Sequence, residues 1–323
     1  DLHALAQQGI EPFGVYVTSP DYLGGVQDIP ALAAVCRAQG VPLLVDNAHG
    51  AYLRFLPQNC HPIAQGAAMC CDSAHKTLPV VTGGAYLHLA HDAPVQDEAA
   101  VRGALALFGS TSPSYLILQS LDVCNAVLAG DYPRRLAQCC AALEGLRRSL
   151  NKAAAARQCP LPLAVAGAQQ EPMKLTLDAA ALGCTGTALA ESLRRAQMEC
   201  EYADPRYVVL MFTPENPPQD YTRLQTALEQ LLAAVPAGLP RPENRAGEFA
   251  ALQQQAVQRC TIRQAVLGAQ VRIPVHKALG RVCAMPTVSC PPAIPVAVSG
   301  EEITPAAIAL MQRYGIEELS VLR

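Results

Sequence analysis

Val41 to Pro79 reads VPLLVDNAHGAYLRFLPQNCHPIAQGAAMCCDSAHKTLP. It opens with a short apolar run, Val41–Val45, that stops at Asp46. A second run, Ala67–Cys71, stops at Asp72 and leads through Ser73, Ala74 and His75 to Lys76. Buried parallel strands read as short continuous apolar runs like these, and the link between the two is long enough for a crossover. Such a unit brings a carboxylate and an amine to one edge of a sheet. Open α/β sheets bind ligands beyond the carboxyl ends of their strands.

An acid and an amine so placed meet two needs of pyridoxal phosphate. A lysine forms the Schiff base with its aldehyde. An acid beside the pyridine nitrogen keeps that nitrogen protonated, so the ring accepts electrons as a bond at the substrate α-carbon breaks. The same spacing also arises from a strand-end cap and a solvated lysine, and spacing alone leaves both readings open.

Around these two residues the chain reads Asp46-Asn47-Ala48-His49-Gly50 and Ser73-Ala74-His75-Lys76-Thr77-Leu78-Pro79. Both elements resemble the major domain of the ornithine/lysine/arginine decarboxylases, a fold-type-I pyridoxal phosphate family, and in particular its shorter bacterial members. Thr18-Ser19-Pro20-Asp21-Tyr22-Leu23-Gly24 resembles the segment just upstream in that family. Thr111-Ser112-Pro113-Ser114-Tyr115, and Pro291-Pro292-Ala293-Ile294-Pro295 with Gly300-Glu301, resemble later segments. The likeness runs through nearly the whole chain in order.

The resemblance implies roles. Lys76 is the Schiff-base lysine and Asp46 the partner of the pyridinium nitrogen. His49 contacts the cofactor ring oxygen or the substrate carboxylate. Ala48 is small enough to let the ring lie flat against the backbone. Ser73 and His75 hold the phosphate, with Thr77 a weaker candidate. Thr111 and Ser112 reach toward the phosphate of a partner subunit, where hydroxyls and free amides at a helix start suit an anion. Burial of Lys76 beside an imidazole is expected to favour the uncharged, attacking amine. Each role has a plain structural alternative: a backbone-bonded His49, a filler at Ala48, capping of the bend around Lys76 by Ser73 and His75, and an ordinary N-cap after Thr111 and Ser112.

Four positions depart from the family pattern. Asn47 stands where a glutamate is usual and Tyr52 where a histidine is common. Cys290 and Ala293 replace the tyrosine and glycine of a Tyr-Pro-Pro-Gly-Ile-Pro element. Asp46, His49, Ser73, His75 and Lys76 are unaffected, so the resemblance speaks more firmly for the cofactor than for the substrate. Glu301 or Glu302 is a candidate partner for a basic substrate side chain. The alternative is a solvated acid ahead of a helix start at Thr304-Pro305.

The 323 residues suit two or three domains. Hydrophobic residues make up 51% and charged ones only 16%, so an ample core is expected. A net charge of −3 without a long basic run argues against nucleic acid or an anionic membrane as the main partner. No apolar stretch approaches the length of a membrane span, and the first residues lack a signal-peptide pattern. The 13 cysteines are scattered, with no Cys-x-x-Cys pair. They predict reduced thiols in a cytoplasmic protein, with neither a disulfide framework nor a metal centre.

The chain begins at Asp1 with a helical face of Leu2, Leu5 and Ala6, ended by Gly9, then a strand over Phe13–Val17. A parallel sheet is not expected to start with the tail of a crossover helix, so an upstream part is expected to be missing. By resemblance that part carries the loop gripping the phosphate and the ring stacked on the pyridine. Asp28 as N-cap, Pro30 and the face of Leu32, Val35 and Cys36 predict a helix ending at Gly40. After Lys76, Val80–Gly84 turns into Ala85–Leu89 too tightly for a parallel crossover and predicts an antiparallel neighbour. Helices are predicted over Asp97–Leu107, from beyond Ser114 through Leu128, and over Asp131–Ala156. Strands at Leu163–Ala166, Lys174–Leu177 and Tyr207–Phe212 alternate with helices at Thr187–Ala196 and Asp220–Val235. Gly183-Cys184-Thr185-Gly186 lacks a following Gly-Lys-Ser/Thr and reads as a helix N-cap. Pro236–Arg245 reads as a linker. Beyond it come a helix at Thr261–Gly268, a strand at Val296–Val298, a helix at Pro305–Tyr314 and an edge strand at Leu319–Leu322.

The expected fold class is α/β. A partial fold-type-I large domain (1–130) holds about four strands, mainly parallel with one antiparallel neighbour. A small α/β domain (131–245) and a C-terminal α+β domain (246–323) follow. The resemblance implies pyridoxal-phosphate-dependent α-decarboxylation of arginine, lysine or ornithine to an amine and CO₂, in polyamine biosynthesis, by a homodimer or higher homo-oligomer. The alternatives are an aminotransferase or carbon–sulfur lyase of the same fold, or a non-catalytic truncated relative.

Overall fold

Strands β1 (Val15–Thr18), β2 (Leu43–Asp46), β3 (Met69–Asp72) and β4 (Tyr86–Leu89) lie side by side in that order in the computed structural model, which describes residues 1–159, 162–167, 169–236, 252, 254–289 and 294–323. The first three are parallel and β4 is antiparallel to β3. The two apolar runs of the 41–79 stretch are therefore neighbouring strands, with Asp46 opposite Cys71. The crossover between them holds two short 3₁₀ turns, Ala51–Phe55 and Pro62–Gln65.

Helix α1 (Leu2–Gln7) precedes β1, and α2 (Ile29–Ala38) joins β1 to β2. The Asp28 side chain accepts a hydrogen bond from the Ala31 amide, and Pro30 occupies the first turn. Gly40 then adopts a φ of 67°, which a side chain would resist. Helix α2 lays Ile29, Ala33 and Cys36 against Leu43, Val45 and Ala67. Strand side chains alternate, so the opposite face presents Tyr16, Leu44, Asp46 and Cys71. Continuous apolar runs lead one to expect burial on both faces, yet here only one is covered: Tyr16 is 63% exposed and Cys71 is exposed.

After β3 the chain makes a single helical turn, α3 (Ala74–Thr77), which carries Lys76. Helices α4 (Glu98–Phe108), α5 (Tyr115–Ala129) and α6 (Tyr132–Ala156) follow β4. Asp97 caps α4 and Ser114 caps α5. Leu136, Leu143, Leu146 and Leu150 of α6 are buried. Next come β5 (Lys174–Asp178), α7 (Gly186–Arg195), β6 (Tyr202–Ala203), β7 (Tyr207–Met211) and α8 (Pro218–Ala234), with a three-stranded sheet of order β5-β7-β6. Thr185 is the N-cap of α7. The strand expected at Leu163–Ala166 is absent. The Asn151 side chain takes up both the N–H and the C=O of Ala164, leaving one bridge to Leu177.

Chain contacts divide the molecule into one unit of residues 1–153, 164–177 and 209–233 and another of 154–163, 178–208 and 234–323. In the second unit α9 (Ile262–Leu267) starts with a capping box between Thr261 and Gln264. Strand β8 (Gln270–Pro274), a stretch with no predicted element, pairs antiparallel with β11 (Glu318–Leu322). Strands β9 (Thr287–Ser289) and β10 (Ile294–Ala297) form a second antiparallel pair. Helix α10 (Pro305–Arg313), capped by Thr304, buries Ala307, Leu310 and Met311 in a core with Val275, Cys283, Ile303 and Val321. Cys290 and Ala293, and all of the expected linker beyond Pro236, lie outside the described residues. The cysteines among the described residues are free, and no described helix is long and apolar enough to cross a membrane.

Candidate active site

The carboxyl ends of β2 and β3 place Asp46 and the α3 turn at one edge of the sheet. Asp46 is partly buried. Its Oδ1 accepts from the Ala48 amide at 3.0 Å and its Oδ2 from the Tyr16 hydroxyl at 3.2 Å. The Asn47 amide donates to the Cys71 carbonyl, which ties the loop after β2 to the end of β3. This loop turns His49 into the protein, where it is 5% exposed. Its Nε2 lies 3.3 Å from the Lys76 amine.

His49 is held neutral. Burial pushes its pKa down to about 3, and the charges of Lys174 and Lys76 push the same way. An ammonium can only donate, so Nε2 accepts and the ring proton resides on Nδ1. That buried Nδ1 has no partner among the described residues, while the Tyr22 ring meets the imidazole edge-on with centroids 5.0 Å apart. Lys76 itself is exposed, contrary to the expectation of burial: one turn of helix lifts it off the sheet edge.

Ser73 precedes α3 without capping it, so its hydroxyl is left for another partner. His75 bonds through Nδ1 to the Gly84 carbonyl at 3.0 Å, which puts its ring proton there and leaves Nε2 as an acceptor. The Thr77 hydroxyl is buried without a partner among the described residues. Thr111 and Ser112 sit in the exposed loop between α4 and α5. Among the described residues, nothing bonds either of them to Asp46, His49, Ser73 or Lys76. In the second unit, Glu302 pairs with Arg259 at 2.6 Å and Glu301 accepts from the Val298 amide at 2.8 Å, so both carboxylates are engaged locally.

The family model described as "Orn/Lys/Arg decarboxylase, major domain" matches residues 2–219. The chain belongs to the Orn/Lys/Arg decarboxylase family. Its relatives include the protein YaaO of Bacillus subtilis (strain 168), 28% identical over 93% of this chain and 61% of that protein. The arginine decarboxylase of the same organism is 28% identical over 90% of this chain and 59% of the enzyme. The chain thus spans about three fifths of the length of the curated relatives it matches. Among solved structures, the constitutive lysine decarboxylase of E. coli superposes with a TM-score of 0.72 at 16% identity, covering 99% of this chain and 60% of that one. The fold is that of the fold-type-I pyridoxal phosphate enzymes.

Two neighbours of the site, Lys174 and Glu171, give no signal in the sequence. Lys174 is buried, donates to the Asp21 and Tyr22 carbonyls at 3.0 Å each, and lies 5.3 Å from the Tyr22 ring centre. Glu171, 2% exposed, accepts from the Tyr52 hydroxyl and from the Met173 amide. Burial raises the pKa of Glu171. Tyr52 thus donates to one oxygen of a buried acid whose other oxygen, Oε1, has no partner among the described residues. A lysine inside an apolar strand and a glutamate before a proline match no motif.

The donor set suits pyridoxal phosphate. It offers a primary amine, a carboxylate at a strand end, an orphaned imidazole N–H and a free hydroxyl before α3. Ala48 adds no bulk beside Asp46.

Proposed function

We propose that this chain is the lysine-bearing part of a pyridoxal-phosphate-dependent decarboxylase acting on arginine, lysine or ornithine. The observation that carries the reading is the 3.3 Å approach of the Lys76 amine to a neutral, buried His49 beside Asp46. Family membership supplies the reaction class. When bound, pyridoxal phosphate supplies an electron sink for the substrate α-carbon.

The protein's own residues do the rest. Lys76 is the residue that would hold the cofactor, through Nζ. Asp46, fixed by Tyr16 and the Ala48 amide, would keep a proton on the pyridine nitrogen. His49 presents Nδ1–H to an acceptor, either the ring oxygen or the substrate carboxylate. Ser73, through its uncapped hydroxyl, stands ready at the start of α3 for the phosphate, whereas His75 has given its ring proton to the Gly84 carbonyl and offers no donor to that group. Thr111 and Ser112 serve the same group in a second copy of the chain. That copy would cover the exposed apolar side chains of α4 and α5, among them Phe108 (92% exposed) and Tyr115 (86% exposed). Free thiols suit a cytoplasmic, reducing setting.

Incubation with arginine, lysine and ornithine in the presence of pyridoxal phosphate tests the reading. Release of CO₂ with the matching amine supports it. Keto acid without CO₂ would assign the chain to transamination instead.

A further inference from the structure

On the face of the sheet away from Asp46, a second constellation is unused by this chemistry. Asp72, at the end of β3, is 3% exposed. Its Oδ2 lies 3.1 Å from His61 Nε2 and 3.0 Å from His88 Nε2. All three ligand atoms lie within 4.8 Å of one another. The grouping follows from register: Cys70 pairs with His88 across β3 and β4, so His88 and Asp72 share a face. His61 enters from the 3₁₀ turn of the crossover, ahead of Pro62.

Among the described residues no lysine or arginine pairs with Asp72. A buried carboxylate without a cation is costly unless something positive joins it. Its other oxygen is already fixed by Asn47 Nδ2 at 2.7 Å and Cys70 Sγ at 3.3 Å, which aims Oδ2 at the two imidazoles. Around a tetrahedral ion with bonds of about 2.0–2.2 Å, ligand atoms sit roughly 3.3–3.5 Å apart. The two carboxylate–imidazole separations need to open by only a few tenths of an ångström, and the two imidazole nitrogens already lie within 4.8 Å of each other.

The cluster also faces open space. A cavity of about 560 Å³ is lined by His61, Asp72 and His88 with Arg54, Asn59 and Asn125. Two imidazoles, one carboxylate and an open position are the ligand set of a zinc or iron(II) class ion with a water in the remaining place.

We propose that His61, Asp72 and His88 bind one divalent transition-metal ion, with its open coordination position facing this cavity. Binding at His61 Nε2 leaves the ring proton on Nδ1, so the long 3.4 Å contact from the Ile63 amide is given up. The site is independent of the cofactor chemistry proposed above, because neither Lys76 nor Asp46 takes part.

The test is titration of the full chain with Zn²⁺ and, separately, Co²⁺, following heat and visible absorption. One ion per chain, micromolar or tighter, is expected, with a cobalt spectrum free of thiolate charge transfer. Binding weakens at least tenfold in His88→Ala, whose ring is partly exposed and whose loss leaves the core intact. Asp72→Asn abolishes binding, and circular dichroism of both variants checks that they fold. Failure of the native chain to bind, equal binding by His88→Ala and His61→Ala, or a thiolate band from the many cysteines would each overturn the proposal.

Discussion

The Lys76 amine and His49 Nε2 lie 3.3 Å apart although 27 positions separate them in the chain. The imidazole is neutral because burial and two lysine charges disfavour its protonated form. A neutral ring accepts from the ammonium through Nε2 and keeps an orphaned donor on Nδ1 for a ligand. Replacing His49 with Ala is therefore expected to lower catalytic turnover by roughly 100- to 1000-fold, the loss of one aimed donor. Steady-state rates of CO₂ release measure it.

The same imidazole gives a pH signature in stability. The folded pKa, about 3, lies below the ordinary value near 6.5. Below that ordinary value the unfolded chain takes up a proton that the folded chain refuses, so stability falls with pH. The contribution is intact above about pH 6.5 and is lost toward pH 3, with a limiting slope of about 1.4 kcal/mol per pH unit. Urea unfolding across this range should show the slope in the native chain and a flatter profile in His49→Gln. Hydrogen bonds from His61, His88 and Asn47 hold the Asp72 carboxylate well below its usual range despite its burial. Its contribution fades only below about pH 4, the ordinary aspartate value, and so leaves the upper part of the window to His49.

Tyr52 reports on the acid behind the site. Tyr52→Phe removes one of the two donors to Glu171 Oε2 while preserving the ring, leaving that oxygen only the Met173 amide. A buried oxygen left short of a donor costs roughly 1–3 kcal/mol. Urea unfolding should show that loss at neutral pH, and a Tyr52→Phe/Glu171→Gln pair should recover part of it.

Phe108 and Tyr115 are expected to lie between two copies of the chain. Phe108→Asp with Tyr115→Asp should turn a dimer into a monomer in light scattering. An unchanged mass would exclude this face from the assembly.

Much of the site was legible because its parts are local. Asp46 ends one apolar run, Lys76 follows another within four positions of Asp72, and strand order follows from the crossover and the tight Val80–Gly84 reversal. Caps at Asp28 and Thr185 were readable for the same reason. The exposed position of Lys76 was not, because apolar runs say nothing of the helical turn after them. Tyr52 and Glu171 are 119 positions apart, and only the folded chain joins them. The irregular spacing of His61, Asp72 and His88 hides a cluster that strand register creates.

Borohydride reduction of the chain in pyridoxal phosphate, followed by peptide mass analysis, tests the role of Lys76 most directly. The pyridoxyl mass should appear on the peptide carrying Lys76 and vanish, together with CO₂ release, in Lys76→Ala. A label on another lysine, or CO₂ release that survives Lys76→Ala, would contradict the assignment.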